Sequence, residues 1–185
     1  MPRIVDVKLE PLTEEAFEPF GAVVGAGNRP PALEIDTMQT WKAPFDVDGA
    51  LEMIVCRYLR EPIAWTRMER HLAVTQAFLP LAGVGSVMVV APPTDPSRRD
   101  AVPPPEAVRA FRMAGEVGVV LWRGTWHALR RFPVGAPHAD FVLLTGRDTQ
   151  GELERQAAGG PLPALTHEAD YQQLFDVSFC VVGAD

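Results

Sequence analysis

Apolar and polar residues alternate along residues 4–9, with Val5, Val7 and Leu9 on one side and Ile4, Asp6 and Lys8 on the other, the period-two pattern of an edge strand. The next stretch, P-L-T-E-E-A-F-E-P-F-G, changes to a helical signature. Thr13 stands at the N-cap position, Glu14 and Glu15 lie in the first turn where the helix dipole favours acidic groups, and Pro19 and Gly21 end the element. A brief strand and turn follow at 21–27. Residues 28–48 read as irregular, and Trp41 and Phe45 within them need a surface to cover them, as a functional loop or a dimer-forming arm would supply. Further strands are expected at 51–58, 66–71, 77–81, 86–92, 108–113, 117–122 and 140–145. A proline-rich loop at about 92–106 has little to bury and is expected to be exposed and partly mobile. Past a Gly-Gly-Pro break near 160, a short helix is expected at 166–174, with His167 exposed at its start. Many short strands punctuated by Gly and Pro, with few helical periods, predict an antiparallel barrel or sandwich.

Composition narrows this picture. A chain of 185 residues, 47% hydrophobic, can bury one sizeable core, so residues 1–185 are expected to form one domain with an extension over about 150–185. The net charge of -7 offers no basic stripe to phosphates, which argues against a nucleic-acid partner. No apolar run of about 18 residues is present to cross a bilayer, and the N-terminus lacks a signal-peptide core, so a cytoplasmic protein without membrane association is expected. Cys56 and Cys180 both sit in apolar runs and read as buried free thiols rather than a disulfide framework.

The candidate chemistry lies in two clusters. In T-R-M-E-R-H-L-A-V-T-Q, Glu69 and His71 are two apart, so both project from the same face of a strand. Gln76 follows five residues after His71, and Gly83 seven after that. The second cluster, W-R-G-T-W-H, places Gly124 three residues before His127. Polar groups facing inward among apolar neighbours are costly unless bonded to something. If the strands pair inside a barrel, two imidazoles, a carboxylate and an amide converge on one point. Arg70 alternates to the opposite face and is expected to be a surface or subunit contact. Trp126 is expected to pack, and the His138/Asp140 pair reads as a turn entering a strand.

These two clusters resemble the cupin motifs, in which His-x-His is followed after four residues by Glu and after six more by Gly, and a later Gly-x2-His completes the set. Here Glu69 stands for the first His and Gln76 for the Glu. Within the cupins, E-R-H-L-A-V-T-Q-A-F-L-P-L at 69–81 and R-G-T-W-H at 123–127 closely resemble the ureidoglycolate lyase family. P-L-T-E-E-A-F-E-P-F-G-A-V-V at 11–24, R-A-F at 109–111 and D-F-V-L-L at 140–144 match it in order. The chain departs from that family at Glu34-Ile35-Asp36-Thr37, where Ile-Asn-Asn-Gly is usual. It departs again at Trp122 and Ala128, where the family has His, and at Thr145-Gly146-Arg147-Asp148, where it has an Asp-Arg pair.

The resemblance implies an all-β, antiparallel cupin-type (jelly-roll) barrel with a few short peripheral helices, a homodimer, and cleavage of ureidoglycolate to glyoxylate and urea in allantoin catabolism. A divergent cupin acting on or sensing another small carboxylate or ureido metabolite is the alternative. It implies His71, His127, Glu69 and Gln76 as the catalytic centre, acting directly as acid and base or as ligands of a divalent metal such as Zn, Ni or Mn. A substrate carboxylate calls for a guanidinium, for which Arg57 and Arg123 are the candidates, and Trp122 is the candidate lining residue in place of the family's His.

Overall fold

In the computed structural model, which describes residues 2–27 and 29–183, nearly every expected strand is found, and two sheets enclose the main core. The larger sheet runs in the order Thr166–Asp170, Arg67–His71, Trp126–Ala128, Ser86–Ala91, Arg109–Met113, Arg3–Pro11, Val177–Val182 and Ala64–Trp65, with Phe132–Pro133 also pairing to Ser86–Ala91. The smaller runs Gly21–Val24, Gly118–Leu121, Gln76–Leu81, His138–Gly146 and Leu51–Leu59. The result is a β-rich, cupin-like barrel. Its pairing is mixed rather than wholly antiparallel, because Arg3–Pro11 runs parallel to both of its neighbours, Arg109–Met113 and Val177–Val182.

The larger sheet is buried on both faces. Phe17, Phe78, Met88, Val90, Phe111 and Phe141 pack in the space between the sheets. On the other face Met68, Val87, Val89, Trp126 and Ala128 pack with Phe179 and Tyr171 from the end of the chain. The Ser86–Ala91 strand, S-V-M-V-V-A, is accordingly buried at every position. This run has to be apolar throughout because its alternate side chains feed two cores.

The capping geometry at residue 13 is as expected: Thr13 Oγ1 accepts from the Ala16 amide at 3.1 Å at the start of the helix Glu14–Phe17. Three other expectations are corrected. Residues 28–48 contain a two-stranded hairpin, Leu33–Ile35 with Met38–Thr40, and the Trp41 indole donates to the Arg29 carbonyl. A helix missing from the sequence reading spans Arg147–Ala157. The stretch at 166–174 divides into the strand Thr166–Asp170 and the helix Tyr171–Phe175, with Asp170 accepting from the Gln172 and Gln173 amides at the turn between them. Thr166–Asp170 pairs along the whole of Arg67–His71, so sheet pairing overrides local helix preference there.

That pairing also reverses the expectations for Arg70 and His167. Arg70 does point away from Glu69 and His71, but it meets the second core instead of solvent and is fully buried. Its guanidinium lies over the Trp126 ring and donates to the carbonyls of Thr94, Asp95 and Arg98, to Thr94 Oγ1, and to His167 Nδ1. The loop expected to be loose is thus fastened at its backbone, although the side chains of residues 95–100 are exposed. His167 is buried, at 5% exposure.

Replacing Arg70 by Met leaves three loop carbonyls without their donor, and hydrogen bonds from a charged group contribute about 1.5–3 kcal/mol each. R70M should therefore open the loop, read as faster tryptic cleavage at Arg98 and Arg99 under conditions in which the parent is resistant. Burial, with Arg99 and Arg70 beside it, lowers the His167 pKa to about 4 from 6.5, so the ring is neutral in the fold. The unfolded chain takes this proton first as pH falls, so stability is full above pH 6.5 and is lost progressively toward pH 4. H167Q, which retains an acceptor for Arg70 but cannot titrate, should flatten part of that loss in denaturant midpoints measured across the window.

Candidate active site

Three of the predicted groups come together through one cross-strand register. Arg67–His71 and Trp126–Ala128 are antiparallel neighbours with His127 directly opposite Glu69, and His71 lies two residues from Glu69 on the same face. Gln76 enters from the facing sheet, at the start of Gln76–Leu81. The two imidazole centroids are 5.2 Å apart, with ring planes tilted by 42°. Glu69 Oε1 lies 3.8 Å from His71 Nε2 and 3.9 Å from His127 Nδ1, and each of the three residues has a ligand-type atom within 4.8 Å of the others.

The turns on either side hold this arrangement. Gly124 adopts φ +78°, a conformation a side chain would strain, and from it donates its amide to the His71 carbonyl at 2.7 Å. Thr125 Oγ1 donates to the Phe20 carbonyl at 2.8 Å, tying the second cluster to the end of the N-terminal helix segment. Gly83, the other motif glycine, also has positive φ, in the turn between Gln76–Leu81 and Ser86–Ala91.

Both imidazoles and the Gln76 amide are engaged from behind and bare in front. His71 Nδ1 is 2.9 Å from Thr166 Oγ1, while its Nε2 has no partner. His127 Nδ1 is 3.0 Å from the Ala128 carbonyl, and its Nε2 is likewise unpartnered. Gln76 Nε2 donates to Thr145 Oγ1 at 3.2 Å, leaving Oε1 without a partner. His71, Gln76 and His127 line one narrow crevice, with Leu121, Trp122, Thr125 and Val74, too tight as it stands to admit a water molecule. A larger hollow of about 930 Å³, by Glu61, Ile63, Pro133 and Val181, is open surface without such a group of donors.

The charge state of the site follows from its burial. Both imidazoles are held neutral: burial, reinforced by the charge of Arg131, lowers the His71 pKa to about 3 and pushes that of His127 well below its usual value. Glu69 is pushed the other way, to about 7, because burial outweighs the attraction of Arg131 and the nearby Glu168 adds to the rise. The site is therefore a crevice lined by neutral nitrogen and oxygen donors, with one carboxyl poised near neutrality 3.8 and 3.9 Å from the two rings. Two imidazoles, a carboxyl and an amide oxygen have the number and chemistry of a divalent-cation site, and the Thr166 hydroxyl behind His71 Nδ1 is a usual supporting arrangement for a ligating imidazole.

The remaining candidates lie elsewhere. Arg57 is on the outer face of Leu51–Leu59, where it makes two bonds to Asp140, at 2.7 and 2.8 Å. Strand alternation turns Cys56 and Tyr58 inward and Arg57 outward, so the structure does not bring Arg57 to the site. Arg123, beside the pocket wall, is taken up by Asp48 at 2.9 Å and Asp46 at 2.8 Å. These two aspartates flank Val47, which bridges to Val74 of the pocket lining. Trp122 does line the space, and its indole donates to the Glu18 carbonyl at 2.8 Å. Sequence reasoning missed Thr145 and Thr166, which carry no signal of their own, and Arg131, which in the run R-R-F-P reads as a solvated charge yet is 1% exposed.

Comparison with known proteins identifies the family. The family model described as ureidoglycolate lyase matches residues 4–162. The chain is 36% identical over 178 residues to a ureidoglycolate lyase of Stutzerimonas stutzeri, covering 91% of this chain and 94% of that protein. It is also 36% identical over 178 residues to one of Pseudomonas aeruginosa, covering 92% and 95%, and 37% identical over 134 residues to one of Azotobacter vinelandii, covering 65% and 74%. With a family model spanning most of its length and relatives aligned nearly end to end, this chain belongs to the ureidoglycolate lyase family.

Proposed function

We propose that this chain is a carbon-nitrogen lyase that cleaves ureidoglycolate to glyoxylate and urea. The observation that carries the reading is the set of unpartnered buried atoms, His71 Nε2, His127 Nε2 and Gln76 Oε1, facing one space beside Glu69. Ureidoglycolate carries a hydroxyl, a urea nitrogen and a carboxylate on one carbon. Its breakdown removes the hydroxyl proton, forms the C=O bond, breaks the C–N bond and returns a proton to the departing nitrogen. The proton lost by oxygen equals the one gained by nitrogen, so one group that accepts and then releases it balances the reaction without water.

Glu69, with its pKa near 7, is the group suited to that transfer, the two neutral imidazoles can hydrogen-bond the reacting atoms, and Gln76 Oε1 can accept a hydrogen bond from the ureido N–H groups. A divalent ion of the Zn, Ni or Mn class fits Glu69, His71 and His127, with Gln76 as a fourth donor. When bound, such an ion would polarise the substrate oxygens. For the substrate carboxylate, Arg123 offers a planar fork at the rim, to be released from Asp46 and Asp48 as the anion arrives.

A second copy of the chain would suit the outer face of Leu51–Leu59. Leu51, Met53, Val55 and Leu59 are exposed there in a row, at 47, 70, 67 and 69%. Among the described residues no helix is long and apolar enough to cross a membrane. A cytoplasmic homodimer in purine nitrogen catabolism is the setting that accords with these features.

Purified protein given ureidoglycolate should release glyoxylate and urea above the spontaneous rate. H127A and H71A should each lower kcat by about 10²–10⁴-fold while leaving circular dichroism and thermal midpoint near the parent's. Parent-like turnover in both variants would remove the pair from the reaction, and loss of activity on chelation, restored by one added ion, would assign the metal. M53E/V55K should convert a dimer to a monomer in light scattering, and an unchanged mass would place the interface elsewhere.

A further inference from the structure

Arg131 is a buried cation directly behind the imidazole of His127. Its Cζ sits 4.0 Å from the centre of the Phe78 ring, and Nη1 donates to the carbonyls of Ala128, at 2.5 Å, and Arg130, at 3.1 Å. With the plane fixed in this way, Nη2 comes 3.2 Å from His127 Nδ1. We infer that Arg131 is a positioning residue that occupies the Nδ1 lone pair of His127, so that the single proton of that ring sits on Nε2 and faces the pocket. His127 then serves the reaction as a hydrogen-bond donor to developing negative charge, and the proton transfer falls to Glu69. That last step rests on the proposed lyase activity.

The argument is one of satisfiability. A guanidinium only donates and does not lose its proton in a protein. If Nδ1 carried the hydrogen and gave it to the Ala128 carbonyl, two N–H groups would be set against each other at 3.2 Å and a buried donor of Arg131 would have no acceptor. With the proton on Nε2, the guanidinium gives one N–H to Nδ1 and one to the Ala128 carbonyl, its charge offsetting the repulsion of these two acceptors 3.0 Å apart. The buried Nε2–H is left to find its acceptor in the pocket. A doubly protonated ring would set the same two N–H groups against each other, so the geometry excludes it as well. His71 has no such constraint. Its Nδ1 faces the hydroxyl of Thr166, which can donate or accept, so His71 is free to present a lone pair from Nε2. The two histidines of the pocket are chemically unlike although both show Nε2 to it.

The same contact bears on ion binding. A ligating Nε2 requires the proton to move to Nδ1, toward the Ala128 carbonyl and against Arg131. Arg131 therefore weakens the hold of His127 on a divalent ion.

Nitrogen-15 NMR of the metal-free, substrate-free enzyme, with the His127 signals assigned by their loss in H127N, tests this directly. Nε2 should be the protonated nitrogen in the parent and in R131K, which keeps a donor at Nδ1. In R131M the proton should move to Nδ1, and affinity for Zn, followed by competition with a chromophoric chelator, should rise by about 10- to 100-fold. A parent ring protonated at Nδ1, or Zn affinity unchanged or lowered in folded R131M, would overturn the assignment. Should R131M not fold, the parent spectrum decides alone. Because these measurements contain no substrate, failure to turn over ureidoglycolate would sink the proposed activity and leave this assignment standing.

Discussion

The site depends on a strand, Arg67–His71, that lies inside a sheet covered on both sides. Strand geometry sends successive side chains to opposite faces, so Met68 and Arg70 enter one core while Glu69 and His71 enter the other. The neighbouring Trp126–Ala128 strand obeys the same rule, with Trp126 and Ala128 on one side and His127 on the other. A slip of one residue in their pairing would exchange the whole set, putting Met68 and Ala128 into the pocket and the charged and aromatic-nitrogen groups into an apolar core. Register is therefore the quantity on which both packing and chemistry turn.

Burial on both faces also dictates the electrostatics. Arg70 and Arg131 are both fully buried, and each is made tolerable by the same devices: several backbone carbonyls as acceptors and an aromatic ring against the guanidinium face. They act on different features. Arg70 ties the proline-rich loop to the outer core, whereas Arg131 places a permanent positive charge next to the imidazoles and Glu69. The neutral histidines follow from burial reinforced by that charge, whereas the carboxyl pKa rises because burial outweighs it.

Two departures of this chain from the pattern of its family, at Trp122 and Ala128, fall in different parts of the fold. Trp122 forms part of the pocket wall where the family has a histidine, and Ala128, at the other histidine position, lies on the far face in the second core. Its carbonyl, not its side chain, reaches the site, through His127 Nδ1 and Arg131. Val74 and the Asp46-Val47-Asp48 segment close the rim, and the space behind them is small.

What the sequence determined by itself was local and periodic. The alternation placing Glu69 and His71 together, the Thr13 cap, the motif glycines Gly83 and Gly124 and the run of short strands all depend on residues near one another in the chain, where pleat, capping and backbone freedom act. Tertiary structure decided whatever depended on a distant partner. It gave Arg70 a second core in place of solvent, turned 166–170 into a strand by pairing it with 67–71, and sent Arg57 outward through the parity of its strand. Only there, too, did Arg131 come to lie behind His127. Whether an arginine is solvated or buried depends on which carbonyls and rings the rest of the chain brings to it, and that is a property of the fold and not of the neighbouring letters.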